Sequence, residues 1–277
     1  MAQGRGYQAA QASFASNVLT NVMTIHDCPA SMRCVGITGE RVAMRPEDVT
    51  EMRALPLFRG VADSHANAML KISFLQRFPA HVELVREGDP PDFLHVIVDG
   101  AVEVYSAWRD RETTIAVLGA GHSFIVAAVL LDKVYLKSVR ALTACRILMV
   151  PADAVRKYFA EDAAFARALA QEIAMAYRTV VKELKNQKLR SSLERLANWL
   201  LLRDAETGGN GAFDLPFDKK TLASRLGMVP EVLSRSFAAL GPYGVTVKGP
   251  KITLASARKE ALRNLARPSF TIDDPNS

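Results

Sequence analysis

The sequence has little of several features that would place it in other large classes of protein. It contains three cysteines in 277 residues, too few for the disulfide framework of a small secreted protein. It has no apolar run of about eighteen residues, which a membrane-spanning helix needs. Its N-terminus lacks the charged start and the apolar block of a secretory signal. We therefore expect a cytoplasmic protein that does not contact a membrane.

The motifs of common enzymes are also missing. The sequence contains no G-x-S-x-G, no H-E-x-x-H, no pair of C-x-x-C motifs and no Walker-type glycine loop. The carboxylates of Glu83, Glu87 and Glu103 stand in a region rich in turns, where solvated or turn-forming residues are the simplest interpretation. These absences argue against an enzyme and leave binding proteins as the class to consider.

In the central region, from Phe78 to Pro151, short apolar runs alternate with glycine-containing breaks. The runs are His81–Val85, Leu94–Val98, Val102–Tyr105, Thr114–Leu118, Val139–Ala141 and Ile147–Val150. One of the breaks, Asp99-Gly100, is a strong hairpin signal because both residues tolerate positive φ. Short strands at such spacing predict an antiparallel barrel or sandwich.

Further along the chain, Thr221 to Leu240 has the pattern of two short helices around a tight turn. Gly227 can end the first helix because glycine adopts a left-handed backbone without strain, and Pro230 suits the first turn of the second helix. The residues expected on the inner face of the second helix are Val232, Leu233, Phe237 and Leu240. The pattern is that of a helix-turn-helix, whose second helix reads the DNA major groove; an ordinary helical hairpin is the alternative.

Two short strands follow this pattern directly. Gly244–Val247 and Ile252–Leu254 flank the basic turn Lys248-Gly249-Pro250-Lys251, which predicts a β-hairpin and therefore a winged helix. From Phe217 to Arg263 there are nine basic and three acidic residues, and this excess equals the net charge of +6 of the whole chain. A positive charge confined to this segment favours a phosphate backbone as the partner.

Between these two regions, positions at steps of four and three residues form an apolar seam. Its members are Ala166, Ala170, Ile173, Tyr177, Val180, Leu184 and Gln187. A seam of this length fits a helix packed on its own domain or a helix paired with a second copy. We favour a homodimer because paired helix-turn-helix units bind two half-sites.

A glycine-punctuated roll, a long helix and a winged helix-turn-helix together resemble the Crp/Fnr family of bacterial transcription regulators. The resemblance covers about Leu55 to Leu265, and its most specific parts are Glu87-Gly88-Asp89, Leu94–Val104 and Pro230–Arg235. It implies an α+β fold with a cyclic-nucleotide-binding-like β-roll, a long dimerisation helix and a winged helix-turn-helix. The expected boundaries are 1–50 for a partly disordered N-terminal extension, 51–160 for the β-roll sensor domain, 161–190 for the dimerisation helix, 191–267 for the DNA-binding domain and 268–277 for a tail.

The sequence of the second helix looks like the E-x-x-S-R reader motif of the fumarate–nitrate-reductase-regulator branch. That resemblance implies that Glu231, Ser234 and Arg235 contact a palindrome with TTGA-type half-sites. Arg235 can donate two parallel hydrogen bonds to guanine, Glu231 can accept one from cytosine, and Ser234 can contact a base or a phosphate. The residues expected to neutralise the DNA backbone are Lys219, Lys220, Lys248 and Lys251. RNA polymerase is a further implied partner, and the residues leave open whether the protein is an activator or a repressor.

The residues with which members of the family bind cyclic nucleotides have no counterparts here. Gly121–Ala128 contains no carboxylate where those members carry a Glu, and Tyr135-Leu136 falls where their Arg-Ser or Arg-Thr pair would be. Lys137-Ser138 could substitute after a small shift, but lysine offers a point charge rather than a two-pronged donor. Cyclic AMP is therefore disfavoured as the effector.

A pocket for a small organic acid is expected instead, and some family members do respond to aromatic acids. An apolar slot with few polar anchors suits a small organic ligand, and a cation within it suits a carboxylate. The apolar residues expected to line the slot are Ala116, Phe124, Ile125 and Val126 of the roll and Tyr177, Val180 and Val181 of the long helix. The polar residues expected near it are His122, Ser123, Lys137 and Arg140.

The cysteines show only part of another pattern in the family. Cys28 and Cys34, with five residues between them, look like part of the ligand set of the oxygen-sensing members. Ile25 and Leu148 stand where the other two cysteines of that set would be, so a four-thiolate cluster lacks two ligands. We interpret the pair as a relic or a structural feature, and a redox or metal role of these residues or of Cys145 stays open.

A redox- or gas-sensing regulator is the alternative within the family, and a ligand-binding module without DNA binding is the alternative outside it. His26 and Cys145 could replace the missing cluster ligands, and a haem could take an axial ligand from a histidine. The histidines are His26, His65, His81, His95 and His122. A lone histidine is more often a surface or hydrogen-bonded residue than a ligand. We therefore expect neither a cofactor nor a metal.

The reader motif leads to a first test. Replacing Arg235 with alanine removes the paired donors to guanine, so we expect it to cost ~1–3 kcal/mol of specific binding and to relax the preference at one base pair. Fluorescence anisotropy with a TTGA-type palindrome and its single-base variants measures both effects. Equal weakening on the palindrome and on random DNA would contradict direct readout by Arg235.

Overall fold

The computed structural model describes residues 44–109 and 111–266 of the chain. The interpretations of Ile25, His26, Cys28 and Cys34 concern residues outside these ranges, and so does the expected tail from residue 268. Within the described ranges, no helix is both long enough and apolar enough to cross a membrane.

The elements follow the order of a roll, a long helix and a winged helix. The helices of the described residues are α1 (Pro46–Arg53), α2 (Asp63–Lys71), α3 (Val126–Leu131), α4 (Ala152–Glu161), α5 (Ala163–Leu189), α6 (Ser192–Glu206), α7 (Lys219–Arg225), α8 (Pro230–Ala239) and α9 (Lys259–Ala266). The strands are β1 (Phe74–Phe78), β2 (Glu83–Val85), β3 (Phe93–Asp99), β4 (Ala101–Trp108), β5 (Arg111–Gly119), β6 (Ser123–Phe124), β7 (Ser138–Ala141), β8 (Cys145–Pro151), β9 (Ala212–Asp214), β10 (Val245–Lys248) and β11 (Lys251–Leu254).

The roll consists of two four-stranded sheets with the orders β1-β8-β3-β6 and β2-β7-β4-β5. All six runs singled out in the sequence form strands of these sheets. The strands β1 and β6 were not predicted from the sequence. β1 is half-exposed along most of its length, so its pattern carries little apolar signal. β6 has two residues, too few to show any period.

The turn between β3 and β4 requires glycine. Gly100 has a φ of 85°, and a Cβ at this position would overlap the carbonyl oxygen of Ala144 and the Cβ of Cys145. The expected hairpin signal at Asp99-Gly100 is therefore confirmed, and its second residue is required for two reasons. One is the left-handed backbone, and the other is the close approach of the chain that precedes β8.

The outer face of the first sheet packs against helices. Leu94 and Val96 of β3 and Leu148 of β8 are fully buried, in one cluster with Phe165 and Leu169 near the start of α5. The alternation of β3 places His95 and Ile97 on the opposite face. The long helix therefore begins as part of the roll's own apolar core.

The winged helix has a separate apolar core. Leu196 and Leu200 of α6 lie in one cluster with Leu222 of α7, Leu233 of α8 and Ile252 of the hairpin. The hairpin strands pair with β9 in the order β10-β11-β9. This arrangement confirms the winged helix-turn-helix expected from the sequence.

Contacts between Cα atoms divide the chain into two compact units. Glu103–Val117, which forms most of the hairpin of β4 and β5, belongs to the unit that continues from Gln171. Within that unit the backbone amide of Thr114 donates to the hydroxyl of Ser224 in α7 at 2.7 Å. The expected boundaries at residues 160 and 190 follow the order of the chain and stay predictions.

The long helix α5 begins at a capping carboxylate. Asp162 accepts hydrogen bonds from the backbone amides of Ala164 and Phe165, both at 3.0 Å. Its second oxygen accepts from the Ala62 amide at 3.1 Å and from Nδ1 of His65 at 2.9 Å. The hydrogen bonds from Phe165 and His65 hold the pKa of Asp162 at about 2. One side chain thus joins the start of α5 to the start of α2.

We expect this cap to make stability depend on pH. Replacing Asp162 with alanine should cost about 1–2 kcal/mol of unfolding free energy at neutral pH. The folded pKa lies below the ordinary value, so this stabilisation is complete above pH ~4 and is lost as the pH falls towards 2. Denaturant unfolding across that window should give a flatter pH profile for the variant than for the wild type. Asp153→Ala is the matched control, because this exposed carboxylate pairs with Arg156 on its own helix. If the unfolding free energies of wild type and D162A changed in parallel with pH, the role of the cap would be contradicted.

Candidate functional site

The helix-turn-helix is defined by a cap, a left-handed glycine and a proline. Asp218 precedes α7, and its carboxylate accepts from the Thr221 amide at 2.7 Å, as a helix cap does. Gly227 has a φ of 63° and follows the end of α7, and Pro230 occupies the first position of α8. The roles of Gly227 and Pro230 were predicted from the sequence and are confirmed.

The second helix, α8, separates an inner face from an outer face. Leu233, Phe237 and Leu240 are buried in the core of the winged helix, while Val232 is half-buried. The side chains of Glu231, Ser234 and Arg235 are exposed on the other side. The three reader residues therefore share one accessible face, and their contacts with bases stay a prediction.

The four lysines expected at the DNA backbone are all exposed. Lys219 and Lys220 form the first turn of α7, and the ammonium of Lys219 lies 6.0 Å from the ring centroid of Phe237. Lys248 and Lys251 pair with each other across the two-residue turn of the wing. They lie on both sides of Gly249, whose φ is 62°. The fold thus places cations on the first helix of the motif and at the tip of the wing.

The residues expected to bind an effector are distributed over both units. Ser123, Phe124, Ile125 and Val126 are buried in the roll, whereas His122 is exposed and Lys137 and Arg140 are half-buried. Ala116, Tyr177, Val180 and Val181 belong to the other unit, where Tyr177 and Val180 are exposed and the other two are half-buried. A common pocket for all of them stays a prediction.

One member of this set has a strained backbone. Ile125 has a φ of 63° and precedes α3, and a β-branched side chain rarely adopts this left-handed conformation. Strain of this kind costs about 1–3 kcal/mol and often occurs at ligand sites. It therefore fits the predicted effector role of Ile125 without defining a ligand.

Lys137 is a partly buried cation. It directly precedes β7, in which Val139 and Ala141 are fully buried. Burial lowers its pKa. Among the described residues no carboxylate forms an ion pair with it. Buried charges are usually paired, so an anion from outside the chain would stabilise this ammonium.

Tyr135 occupies the position expected for the arginine of the cyclic-nucleotide-binding members. It is 3% exposed, and its backbone bonds to both Gly88 and Asp89 in the turn before β3, at 2.8 and 2.9 Å. Burial raises the pKa of its phenol well above the ordinary value, and the charge of Asp92 raises it further. A neutral phenol beside carboxylates cannot neutralise a phosphate, and the choice of effector stays a prediction.

The roll interior contains a histidine whose surroundings the sequence reasoning missed. His95 is 4% exposed and stacks on Phe124, with ring centroids 5.0 Å apart. Burial lowers its pKa to about 4, so its ring is neutral at physiological pH. The register of β3 with β6 pairs these two residues, but β6 itself was too short to predict.

Cys145 is buried in β8, opposite Phe78. Burial, with a smaller effect from Asp99, raises the pKa of its thiol to about 11. A neutral thiol is a poor metal ligand and a poor nucleophile. This environment is typical of a packed structural cysteine, and a redox or metal role stays an open question.

Comparison with known proteins agrees with this geometry. A model of the cyclic nucleotide-binding domain matches residues 75–162, and a model of the Crp-like helix-turn-helix domain matches residues 194–265. A CRP-like cAMP-activated global transcriptional regulator of Mycobacterium tuberculosis is 22% identical, over 75% of this chain and 95% of the relative.

Solved structures show the same fold. FixK2 from Bradyrhizobium japonicum has a TM-score of 0.63 and 22% identity, and the alignment covers 72% of this chain and 99% of that one. A CRP/FNR-family transcriptional regulator from Thermus thermophilus has a TM-score of 0.57 and 19% identity, with 70% and 98% covered. The roll and the winged helix together define a DNA-binding transcription regulator with a cyclic-nucleotide-binding-like domain. The chain belongs to the Crp/Fnr family.

The exposed lysines lead to a test of backbone binding. Replacing Lys219 and Lys220 together with alanine should weaken binding to specific and random DNA by the same factor. The slope of log affinity against log salt should also become shallower by about one unit per lysine, because fewer counterions are released. Anisotropy titrations over a series of salt concentrations measure this slope. Lys133→Ala, an exposed lysine of the roll, is the control, and an unchanged slope in the double variant would contradict the assignment.

Proposed function

We propose that this protein is a cytoplasmic, homodimeric transcription regulator that binds a TTGA-type palindrome in response to a small organic acid, with aromatic acids preferred over cyclic AMP. The observation that carries the choice of effector is Lys137, a partly buried ammonium to which no described carboxylate is paired. Activation of transcription through contact with RNA polymerase is part of the proposal.

The dimer is supported by the surface of α5. Ile173, Tyr177, Val180 and Leu184 are 36%, 70%, 54% and 51% exposed, and they recur at steps of four and three residues. Large apolar side chains exposed at this spacing are unfavourable in water and match the seam of a coiled coil. A second copy of α5 would cover them and would pair two winged helices, as a palindrome requires.

The DNA sequence is proposed from the accessible face of α8. Glu231, Ser234 and Arg235 are exposed together, while the opposite face of the helix is held in the core. An arginine and a glutamate in this arrangement can distinguish a G·C pair by donating to guanine and accepting from cytosine. The TTGA-type half-site itself follows from the resemblance of the motif to the fumarate–nitrate-reductase-regulator branch.

The effector class follows from the side chains of the roll. The ammonium of Lys137 favours a carboxylate, whereas the neutral phenol of Tyr135 and the nearby Asp92 do not favour a phosphate. Phe124 and the neutral ring of His95 stack on each other and give this part of the roll interior an uncharged, aromatic character that suits an aromatic ligand. A small aromatic acid satisfies the charge and the apolar surface at once.

Regulation is proposed to occur through a population shift. An effector can favour one of two arrangements of the dimer only if it binds that arrangement more tightly. The favoured arrangement would place the two reading helices about 34 Å apart, one turn of DNA. Whether the bound or the free form has this spacing decides the direction of the response.

The alternative of haem sensing gains no support from the histidines that the structure describes. His65 donates to Asp162, and His95 has Phe124 stacked on its ring and Phe93 at its edge. His81 adopts a left-handed backbone in the turn before β2, where its amide bonds to Ala141. These contacts involve the rings of His65 and His95 and the backbone of His81, and none of them indicates an axial ligand.

The proposed effector site can be tested at Lys137. We expect Lys137→Met to weaken binding of an aromatic carboxylate such as benzoate or salicylate by about tenfold or more, since the loss of a charge-assisted hydrogen bond costs about 1.5–3 kcal/mol. Isothermal titration calorimetry with these acids, their neutral amides and cyclic AMP measures the preference. Lys133→Met is the matched control, because Lys133 is exposed in the same loop. Equal affinity of wild type and K137M, or a preference for cyclic AMP, would contradict the proposal.

A further inference from the structure

The first turn of α6 contains an arginine that bonds to the ends of two other helices. Nη1 of Arg195 donates to the carbonyl oxygen of Arg190 at 2.7 Å, directly beyond the end of α5. Nε donates to the carbonyl of Leu226 at 2.8 Å, and Nη2 to that of Gly227 at 3.3 Å. One guanidinium therefore holds the end of the long helix and the turn of the helix-turn-helix at the same time.

The last turns of α5 also face this turn directly. Gln187 lies so close to Gly227 that a Cβ on the glycine would be 3.4 Å from the side-chain carbonyl carbon of Gln187. Partial burial raises the pKa of the Glu183 carboxyl, and the positive charges of Arg225 and Arg195 lower it by a smaller amount. We call the group of Glu183, Gln187, Arg195, Leu226 and Gly227 the helix joint.

The chemistry of arginine explains why this residue occupies the helix joint. The last carbonyls of a helix have no partner within the helix and carry partial negative charge. A guanidinium supplies several N–H donors in a rigid plane, so it can serve carbonyls from two helices in one orientation. A lysine keeps the charge, but its ammonium has no such plane and cannot fix the same angle.

The apolar core of the winged helix and the cap of α6 are formed by other side chains than Arg195. Its core consists of apolar side chains such as Leu196, Leu222 and Leu233, and Arg195 is not among them. The start of α6 is capped independently, since Ser191 and Glu194 bond to each other's backbone amides at 2.8 and 3.3 Å. What Arg195 adds is the connection from the turn of the motif to the end of α5.

We propose that Arg195 is a positioning residue that fixes the direction of the helix-turn-helix relative to α5 and thereby determines the half-site spacing that the dimer accepts. This inference rests on the proposed homodimer and its palindrome. In such a dimer the two α5 helices set a common axis, and each helix joint sets the angle of one reading helix to it. Loosening the joint leaves each reader intact and broadens the set of spacings that the pair can bind.

The experiment uses full-length protein and palindromes whose spacers differ in steps of one base pair, together with a single half-site. The variants are Arg195→Met, which removes the donors, and Arg195→Lys, which keeps the charge without the planar donors. Arg203→Met is the matched control on the same helix, where Arg203 pairs with Glu206 one turn away. Affinities are measured by anisotropy, and folding is checked by circular dichroism.

We expect both Arg195 variants to lose about tenfold in affinity for the best-spaced palindrome and to keep half-site affinity within about twofold, because only simultaneous binding needs the fixed geometry. Their affinities across the spacer series should become nearly equal, while R203M keeps the wild-type profile. An unchanged spacing profile in R195M and R195K would overturn the inference. So would a parallel loss on half-site and palindrome, which indicates a merely structural role. If the wild type itself binds no palindrome better than random DNA, the proposed function fails instead.

Discussion

The long helix α5 depends on one ionised side chain at each end. Asp162 accepts hydrogen bonds from the first amides of the helix and from the start of α2, and Arg195 donates to the first carbonyl beyond its end and to the turn of the helix-turn-helix. Both follow one constraint, which is that the unpaired backbone groups at helix ends need partners of opposite charge. The two caps join a helix of 27 residues to a sensor-type roll at its start and to a DNA reader at its end.

The first and the later turns of α5 lie in different environments. Phe165 and Leu169 are fully buried, whereas Tyr177 and Leu184 are more than half exposed. The first turns are therefore held by the core of the roll, and the later turns leave exposed the apolar surface that the proposed dimer would cover. A helix built in this way can respond to the roll and can hold two readers together, which is the physical basis of the proposed regulation.

The proposed change of effector depends on two residues of the roll. Tyr135 fills a position from which other members of the family contact a phosphate, and its burial keeps the phenol neutral. Lys137, two residues later, places a partly buried charge directly before β7. The proposed preference for a carboxylate over a phosphate rests on these two residues, while the two sheets form the β-roll of the family.

Local sequence was sufficient for several features whose cause is local. Short-range backbone and periodicity rules predict the turn at Gly227, the wing around Gly249 and the exposed face of Glu231, Ser234 and Arg235. The structure confirms them. Only the tertiary structure could place β1 and β6, since their partner strands are distant in sequence or their length is too short for a period. It alone placed His95 against Phe124, Thr114 against Ser224, and Arg195 between two helix ends. His95 and Phe124, and Thr114 and Ser224, are far apart in the chain, and Arg195 bonds to backbone carbonyls. A residue spacing in the sequence therefore cannot predict these contacts.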